Sequence, residues 1–369
     1  MVEEVVPGGE AGDTLLANKL TAFPRNGTLT SHRESIIKAV RSPGSGSPGS
    51  GSSVTMTPTK QPIDFLIYLI LFGSTIFVNK YVLSVLNFTY PTIYQGWQTL
   101  VGGILLRVLL SNKCLSVSAT DLDKPGFISL LPSFLFFSAG IVANSKALAN
   151  LSVPVFLCLQ NTLGAMLYLM EIAPSFRGGS GPFPLLASLV TIGTAITAVL
   201  ADIDMTVDFS DSPYFWMLVY LACVAVQTLH SKIADARYTD VDRLYFSYVF
   251  SVVVLAPASL YLEEAFEVLH FPHAMRYDFY AGCLLSGVLG LFLNLSFMKV
   301  RRHNFFSIVD ASGRLLTSLL ALATFADVTT VTVKILVCVN LVSAVFVPLP
   351  TMKDAEGLDE ATEPLKEGV

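Results

Sequence analysis

Apolar stretches follow one another along the chain from residue 61 to residue 350, separated by short polar linkers. A helix of about 20 apolar residues spans the hydrocarbon core of a bilayer. Hydropathy therefore predicts an all-α integral membrane protein with ten transmembrane helices. The predicted spans are residues 63–86, 92–110, 127–147, 152–171, 183–201, 213–231, 244–262, 279–298, 305–325 and 329–349.

Basic residues between the spans indicate their orientation. Those that follow even-numbered spans are Arg107, Lys113, Lys124, Arg177, Lys232, Arg237, Arg243, Lys299, Arg301 and Arg302. Linkers after odd-numbered spans offer only Lys146 and Arg276. Lysine and arginine favour the cytoplasmic side of a membrane. Both termini are therefore expected in the cytosol, as an even number of spans also requires.

Ten spans divide into two sets of five. Because five is odd, the second set must cross the membrane in the opposite sense, as in the inverted repeats of many secondary transporters. We expect the repeats at about residues 61–201 and 213–349. A faint internal similarity aligns residues 146–161 with residues 299–314, which places Asn161 of the fourth span opposite Arg314 of the ninth.

The two ends of the chain differ in kind from the part between them. Residues 42–53 are a run of serine, glycine and proline, which cannot bury enough apolar surface to fold. Residues 1–60 also lack the apolar core of a signal peptide, so the first span is expected to act as its own signal. We predict disordered cytosolic tails at residues 1–60 and 351–369, and one ten-helix domain at residues 61–350.

Composition narrows the class of protein further. Hydrophobic residues make up 53% of the 369 residues and charged residues 14%, whereas a soluble domain carries roughly 25% charged residues. The net charge of −5 and the lack of a basic stripe argue against a nucleic-acid partner. The five cysteines stand singly, as small core residues do. Because no P-loop, hydrolase or metalloprotease motif occurs, we expect no enzyme, no metal site and no cofactor.

Arg314 lies near the middle of the ninth predicted span, with Asp310 one helical turn before it. An arginine at that depth costs about 2.5–3.5 kcal/mol, and such charges usually face a bundle interior or a solute path. An acidic residue four positions before a basic one is the favourable order for an ion pair on a helix. We predict a solute carrier in which Arg314 binds an anion and Asp310 is its counter-ion in the empty site. A purely structural ion pair is the alternative.

Polar residues of the first two spans are further candidates. One face of the second span carries Gln95, Gln98, Thr99 and Gly102. Lipid offers an amide no hydrogen-bond partner, so Gln98 must point inward. Asn79 and Lys80 lie near the lumenal end of the first span. Lys80 would either help to hold a phosphate or extend to the membrane interface.

The seventh span presents Tyr245, Ser247 and Tyr248. Two hydroxylated rings three residues apart could stack on a planar base and hydrogen-bond its edge. Ordinary packing of the bundle explains these tyrosines at least as well, and the sequence does not decide between the two interpretations.

Small residues recur at four-residue steps along the eighth span, at Gly282, Ser286, Gly290 and Asn294. A stripe of this kind lets helix backbones approach closely. It predicts helix packing within the chain first and the face of a homodimer second.

Several segments resemble a known family. They are residues 79–86 (NKYVLSVL), 88–91 (FTYP), 95–100 (QGWQTL), 145–148 (SKAL), 152–155 (SVPV) and 248–253 (YVFSVV). The chain from Asn79 to the end of the ninth span resembles the nucleotide-sugar transporters of solute carrier family 35, and among them the transmembrane protein 241 group. This family belongs to the drug/metabolite transporter superfamily, for which the resemblance implies ten helices in two inverted five-helix repeats.

The resemblance also bears on the substrate. Related GDP-mannose carriers bind guanine through a Phe-Tyr-Asn-Asn motif, and the matching residues 245–248 (YFSY) lack both asparagines. Their Gly-Ala-Leu-Asn-Lys motif meets the sugar and phosphates and corresponds here to residues 310–314 (DASGR). The cation is kept as Arg314, whose planar fork suits a diphosphate. Kinship with the transmembrane protein 241 group thus implies a UDP-sugar, UDP-N-acetylglucosamine in particular.

These points predict a secondary-active antiporter of the Golgi membrane, or of the ER membrane, that exchanges a cytosolic nucleotide sugar for a nucleoside monophosphate. Its partners are then these two nucleotides and membrane lipid. The candidate substrate-binding residues are Arg314, Asp310, Lys80, Asn79, Gln98, Asn161, Tyr245, Ser247 and Tyr248. One alternative is a translocator of another organic phosphate, such as a triose phosphate. The other is a non-transporting membrane scaffold, which an Arg314 that faces lipid or is fully enclosed would favour.

Overall fold

The computed structural model describes residues 61–113, 115, 121–172, 182–202, 208, 212–231, 233, 237–325 and 329–348. All regular structure in these ranges is helical, as predicted. The long helices are α1 (Gln61–Lys80), α2 (Pro91–Ser111), α3 (Lys124–Asn150), α4 (Val153–Ile172), α5 (Pro182–Asp202), α6 (Pro213–Ser231), α7 (Asp240–Tyr261), α8 (Tyr277–Val300), α9 (Phe306–Thr324) and α10 (Val331–Ala344). A π-helical turn, Tyr81–Val85, continues α1, and two short turns of helix, Glu264–Glu267 and Val268–His270, join α7 to α8. The predicted disordered tails lie outside the described residues.

Eight of these helices are long and apolar enough to cross a bilayer, namely α1 with its π turn and α3 to α9. The helix α2 has 21 residues but is less apolar, because Gln95, Gln98 and Arg107 fall within it. The helix α10 is apolar but has only 14 residues. The protein is therefore a multi-pass membrane protein. Each predicted span coincides with a helix, while the number of ten crossings stays a prediction.

Apolar side chains cover the outside of the bundle. Ile104 exposes 60% of its surface, Leu200 64% and Val253 65%. In water this much exposed hydrocarbon would be unfavourable, whereas in a bilayer it faces lipid. Polar side chains such as Gln95, Ser145 and Asn340 are buried inside the bundle, where every polar group has to find its partner.

The start of α3 is fastened to the linker that precedes α7. Asp123 is the N-cap of α3 and accepts a hydrogen bond from the Gly126 N–H at 2.9 Å. The Tyr238 hydroxyl donates to the same carboxylate at 2.6 Å, and this bond lowers the pKa of Asp123. A Cβ on Gly126 would lie 2.0 Å from the Tyr238 hydroxyl oxygen, so this close approach requires glycine.

The small-residue stripe of α8 packs against other helices of the same chain. A Cβ added to Gly282 would lie 2.8 Å from Val82, and one added to Gly290 would lie 3.7 Å from the Gln98 amide nitrogen. Ser286, between them, has no exposed surface. The stripe therefore packs α8 against the π turn after α1 and against α2, which is the first of its two interpretations.

Candidate functional site

Arg314 and Asp310 form the ion pair that their spacing predicts. The Nε atom of Arg314 donates to Oδ2 of Asp310 at 3.0 Å, and Nη2 lies 2.9 Å from the same oxygen as the closest ion-pair contact. The exposed fraction is 19% for the arginine side chain and 6% for the aspartate side chain. The pair is thus largely buried without being fully enclosed.

Four helices converge on this pair. Tyr68 of α1 donates its hydroxyl hydrogen to Oδ1 of Asp310 at 2.6 Å. Gln160 of α4 accepts from Nη1 of Arg314 at 3.3 Å through Oε1, and its Nε2 donates to the Tyr220 hydroxyl of α6 at 3.1 Å. Because the partners of the pair come from α1, α4 and α9 itself, Arg314 faces the interior of the bundle and not the lipid.

The guanidinium retains donors for a ligand. It has five N–H groups. Two donate to Asp310 and Gln160, the hydrogen-bond partners found among the described residues, and the Nη2 contact with Asp310 occupies one more. The Phe72 ring lies 6.0 Å from Cζ of Arg314. Two N–H groups of a partly accessible cation suit an anionic oxygen, and phosphate oxygens bind arginine strongly in this way.

Asn161 does not lie opposite Arg314 as the internal similarity predicts. Its Nδ2 donates to Oδ1 of Asn340 on α10 at 3.1 Å, and Asn340 in turn donates to the Thr191 carbonyl of α5 at 2.7 Å. Gln160, one residue earlier, contacts Arg314 instead. One residue turns the side chain by about 100° around a helix, so an alignment error of one position moves it to another neighbour.

Asn79 and Gln98 are brought together in a second polar cluster. Oδ1 of Asn79 accepts from the Tyr94 hydroxyl at 3.0 Å, from the Ser286 hydroxyl at 2.6 Å and from Nε2 of Gln98 at 3.3 Å. Gln98 also contacts the Ser286 hydroxyl. This cluster joins α1, α2 and α8, and it shares no hydrogen bond with Arg314 among the described residues.

Lys80 is bound to the backbone at the end of α3. Its Nζ donates to the backbone carbonyls of Leu148, Ala149 and Leu151 at 2.9, 3.1 and 2.8 Å, and only 7% of the residue is exposed. The last carbonyls of a helix lack partners within it, and a lysine at a C-terminus can satisfy them. All three ammonium hydrogens are engaged at the end of α3, so this arrangement offers none to a phosphate.

Replacing Lys80 separates the structural role from a phosphate-binding role. Lys80→Met keeps the length of the side chain but leaves three carbonyls unsatisfied. We expect the free energy of unfolding to fall by about 2–3 kcal/mol, measured by thermal unfolding in detergent, with unchanged affinity of the folded protein for nucleotide. Lys299→Met, at an exposed lysine, is the control. Unchanged stability with a tenfold loss of affinity would return Lys80 to the substrate site.

The candidates on α7 are packed differently from one another. Tyr248 is 5% exposed, its ring packs against Gly102 and Phe137, and its hydroxyl accepts from Nδ2 of Asn294 at 3.1 Å. Tyr245 is half-buried and its ring lies 6.0 Å from Cζ of Arg107. Ser247 is buried. Tyr248 is thus packed inside the bundle, and Tyr245 is the more accessible of the two rings.

The sequence interpretation missed three members of the Arg314 site, namely Tyr68, Gln160 and Tyr220. Gln160 could have been found, because an amide inside an apolar helix must face inward by the rule applied to Gln98. The two tyrosines carry no such signal, since aromatic residues are common on every face of a membrane helix.

Comparison with known proteins identifies the class. No protein-family model matches the chain. The Xenopus laevis homologue of the UDP-N-acetylglucosamine transporter TMEM241 is 34% identical over 278 residues, which cover 74% of this chain and 90% of that protein. The mouse UDP-N-acetylglucosamine transporter TMEM241 is 36% identical over 224 residues, or 60% of this chain and 73% of that protein. GDP-mannose transporter 1 of Cryptococcus neoformans is 24% identical over 280 residues, 68% of this chain and 70% of that protein.

The chain belongs to the nucleotide-sugar transporter family. The resemblance seen in the sequence is confirmed. These relatives are named as transporters and not as enzymes, in agreement with the prediction from the motifs.

Proposed function

We propose that the protein is a secondary-active antiporter that carries a UDP-sugar, such as UDP-N-acetylglucosamine, from the cytosol into the Golgi lumen in exchange for a nucleoside monophosphate. The observation that carries this proposal is the Arg314 guanidinium, which lies inside the bundle with 19% of the side chain exposed. The names of the frog and mouse relatives support the choice of substrate.

The charge of the substrate explains why an arginine is needed. A diphosphate leaving water for a low-dielectric cavity requires a fixed cation, and the fork of Arg314 provides one with two N–H groups to spare. Asp310 neutralises the arginine in the empty site and is itself held by Tyr68 at 2.6 Å. Both exchanged ligands carry a phosphate ester, so both can engage the same cation, which is the basis for exchange.

The neighbours of each helix support a ten-span architecture of two five-helix repeats. The helix α3 packs on α6 as α8 packs on α1, and α7 packs on α3 as α2 packs on α8. Exchanging each of the first five helices with the helix numbered five higher converts one contact into the other, and it leaves the pairs α2–α7, α4–α9 and α5–α10 unchanged. We propose that the repeats are inverted, with both termini in the cytosol. Arg314 on α9 and Gln160 on α4 then lie on corresponding helices at the centre.

The choice of base tests this proposal. Because residues 245–248 lack the asparagine pair of GDP-mannose carriers, uridine nucleotides should compete for uptake better than guanosine nucleotides. The measurement is uptake of labelled UDP-N-acetylglucosamine into proteoliposomes holding the purified protein, with UMP, GMP, CMP and AMP as competitors. UMP is expected to inhibit at concentrations at least tenfold below GMP. Equal or stronger inhibition by GMP would contradict the assignment of a UDP-sugar.

A further inference from the structure

We infer that Tyr220 donates a hydrogen bond to the phosphate of the bound nucleotide beside Arg314, and that Gln160 sets the direction of this bond. The inference rests on the proposed function. Tyr220 lies on α6, and its ring stacks on Phe156 of α4 with centroids 6.3 Å apart and planes 21° apart. This stacking holds the ring, while the residue as a whole is half-buried.

The direction of the hydrogen bond between Gln160 and Tyr220 follows from which atoms of Arg314, Gln160 and Tyr220 can donate and which can accept. A guanidinium has only donors, so the amide of Gln160 must turn its oxygen towards Arg314, at 3.3 Å. The amide nitrogen then faces the Tyr220 hydroxyl at 3.1 Å. That nitrogen has only hydrogens to offer, so the phenol oxygen accepts. The hydrogen of the Tyr220 hydroxyl is thereby left for another acceptor.

The two tyrosines beside the ion pair differ in this respect. Tyr68 is 2% exposed, and its hydroxyl hydrogen is donated to Asp310 at 2.6 Å. No residue in the described part of the chain takes the hydrogen of Tyr220. An ionised phosphate only accepts hydrogen bonds. The Tyr220 hydroxyl, whose oxygen already accepts from Gln160, can donate one to it. Two N–H groups of Arg314 and the O–H of Tyr220 then offer three donors to the phosphate.

The first test removes only this donor. Tyr220→Phe keeps the ring that stacks on Phe156, so the fold should survive, which the melting temperature checks. UMP binding to the purified full-length protein should weaken about tenfold or more, the usual effect of losing a hydrogen bond to a charged group. Binding of uridine, which has no phosphate, should not change. Unchanged UMP affinity, or equal weakening for UMP and uridine, would overturn the inference.

A second variant tests the role of Gln160. In Gln160→Glu the introduced carboxylate lies beside Arg314, whose charge keeps it ionised, and it accepts from both neighbours. Tyr220 must then donate to this carboxylate and is lost to the ligand. UMP binding should weaken, and Tyr220→Phe should add little in this background, a non-additivity that a double-mutant cycle measures. Equal effects of Tyr220→Phe in both backgrounds would refute the direction assigned here. If the unaltered protein binds no nucleotide at all, it is the proposed function that fails.

Discussion

Arg314→Ala is expected to lower the rate of nucleotide-sugar uptake by roughly a hundredfold or more, in effect abolishing it, while the protein stays folded and membrane-inserted. Removing one member of a buried, hydrogen-bonded charge pair at a binding site costs about 2–5 kcal/mol of binding, and tenfold corresponds to about 1.4 kcal/mol. Neutral neighbours such as Gln160 cannot replace the charge. Uptake into proteoliposomes measures the loss, and the melting temperature in detergent verifies folding.

The fold should tolerate this change because Asp310 can respond. Without its partner the carboxylate would be an unpaired buried charge, which is costly unless it binds a proton. The Tyr68 hydroxyl, 2.6 Å from Oδ1, remains beside it. Arg314→Lys should keep part of the uptake, because the charge is retained but the bidentate fork is lost.

The double change Asp310→Asn with Arg314→Ala distinguishes the two roles of Arg314. A purely structural ion pair predicts that the double variant regains uptake, since no unpaired charge is left. A phosphate-binding Arg314 predicts that uptake stays lost. Recovered transport would overturn the assignment of the site.

Asp310→Asn is expected to lower the free energy of unfolding by about 3–5 kcal/mol, because it leaves the buried Arg314 without its counter-ion. Nucleotide should restore part of this stability, since a phosphate then supplies the missing negative charge. The rise in melting temperature on adding saturating UMP should therefore be larger in Asp310→Asn than in the unaltered protein. Thermal unfolding in detergent, with and without UMP, measures both effects.

Asp64 provides the matched control. It pairs with Lys299 at 2.7 Å near the start of α1, where the lysine side chain is 53% exposed. A pair this open to solvent contributes about 0–1 kcal/mol, so Asp64→Asn should change little and should not alter the effect of UMP. Similar destabilisation in both variants would mean that the Asp310–Arg314 pair does not behave as a buried charge pair.

Local patterns in the sequence were sufficient to predict the positions of the helices and the Asp310–Arg314 ion pair. The ninth span was predicted at residues 305–325 and the helix runs from Phe306 to Thr324, because the apolar stretch itself determines where a membrane helix lies. Asp310 and Arg314 could be paired directly, since i,i+4 neighbours of one helix share a face. Both predictions depend only on residues close in the chain.

Contacts between distant helices could not be predicted in this way. Apolar helices align at several offsets with similar quality, so the residue types alone do not show that Gln160, and not Asn161, contacts Arg314. The partners of Lys80 are backbone carbonyls at the end of α3. Every residue has a backbone carbonyl, so the residue types do not show which carbonyls a lysine contacts. The role of Tyr220 depends on the orientation of a neighbouring amide, which exists only once α4, α6 and α9 have packed together.

The central claim, that this site exchanges a nucleotide sugar for a nucleoside monophosphate, is tested most directly by counterflow. Proteoliposomes holding the purified protein are loaded with UMP, and uptake of external labelled UDP-N-acetylglucosamine is followed with time. We expect the internal label to rise transiently above its equilibrium level, and we expect no such rise in UMP-free vesicles or with Arg314→Ala. Uptake that is the same with and without internal UMP, or that persists in Arg314→Ala, would contradict the claim.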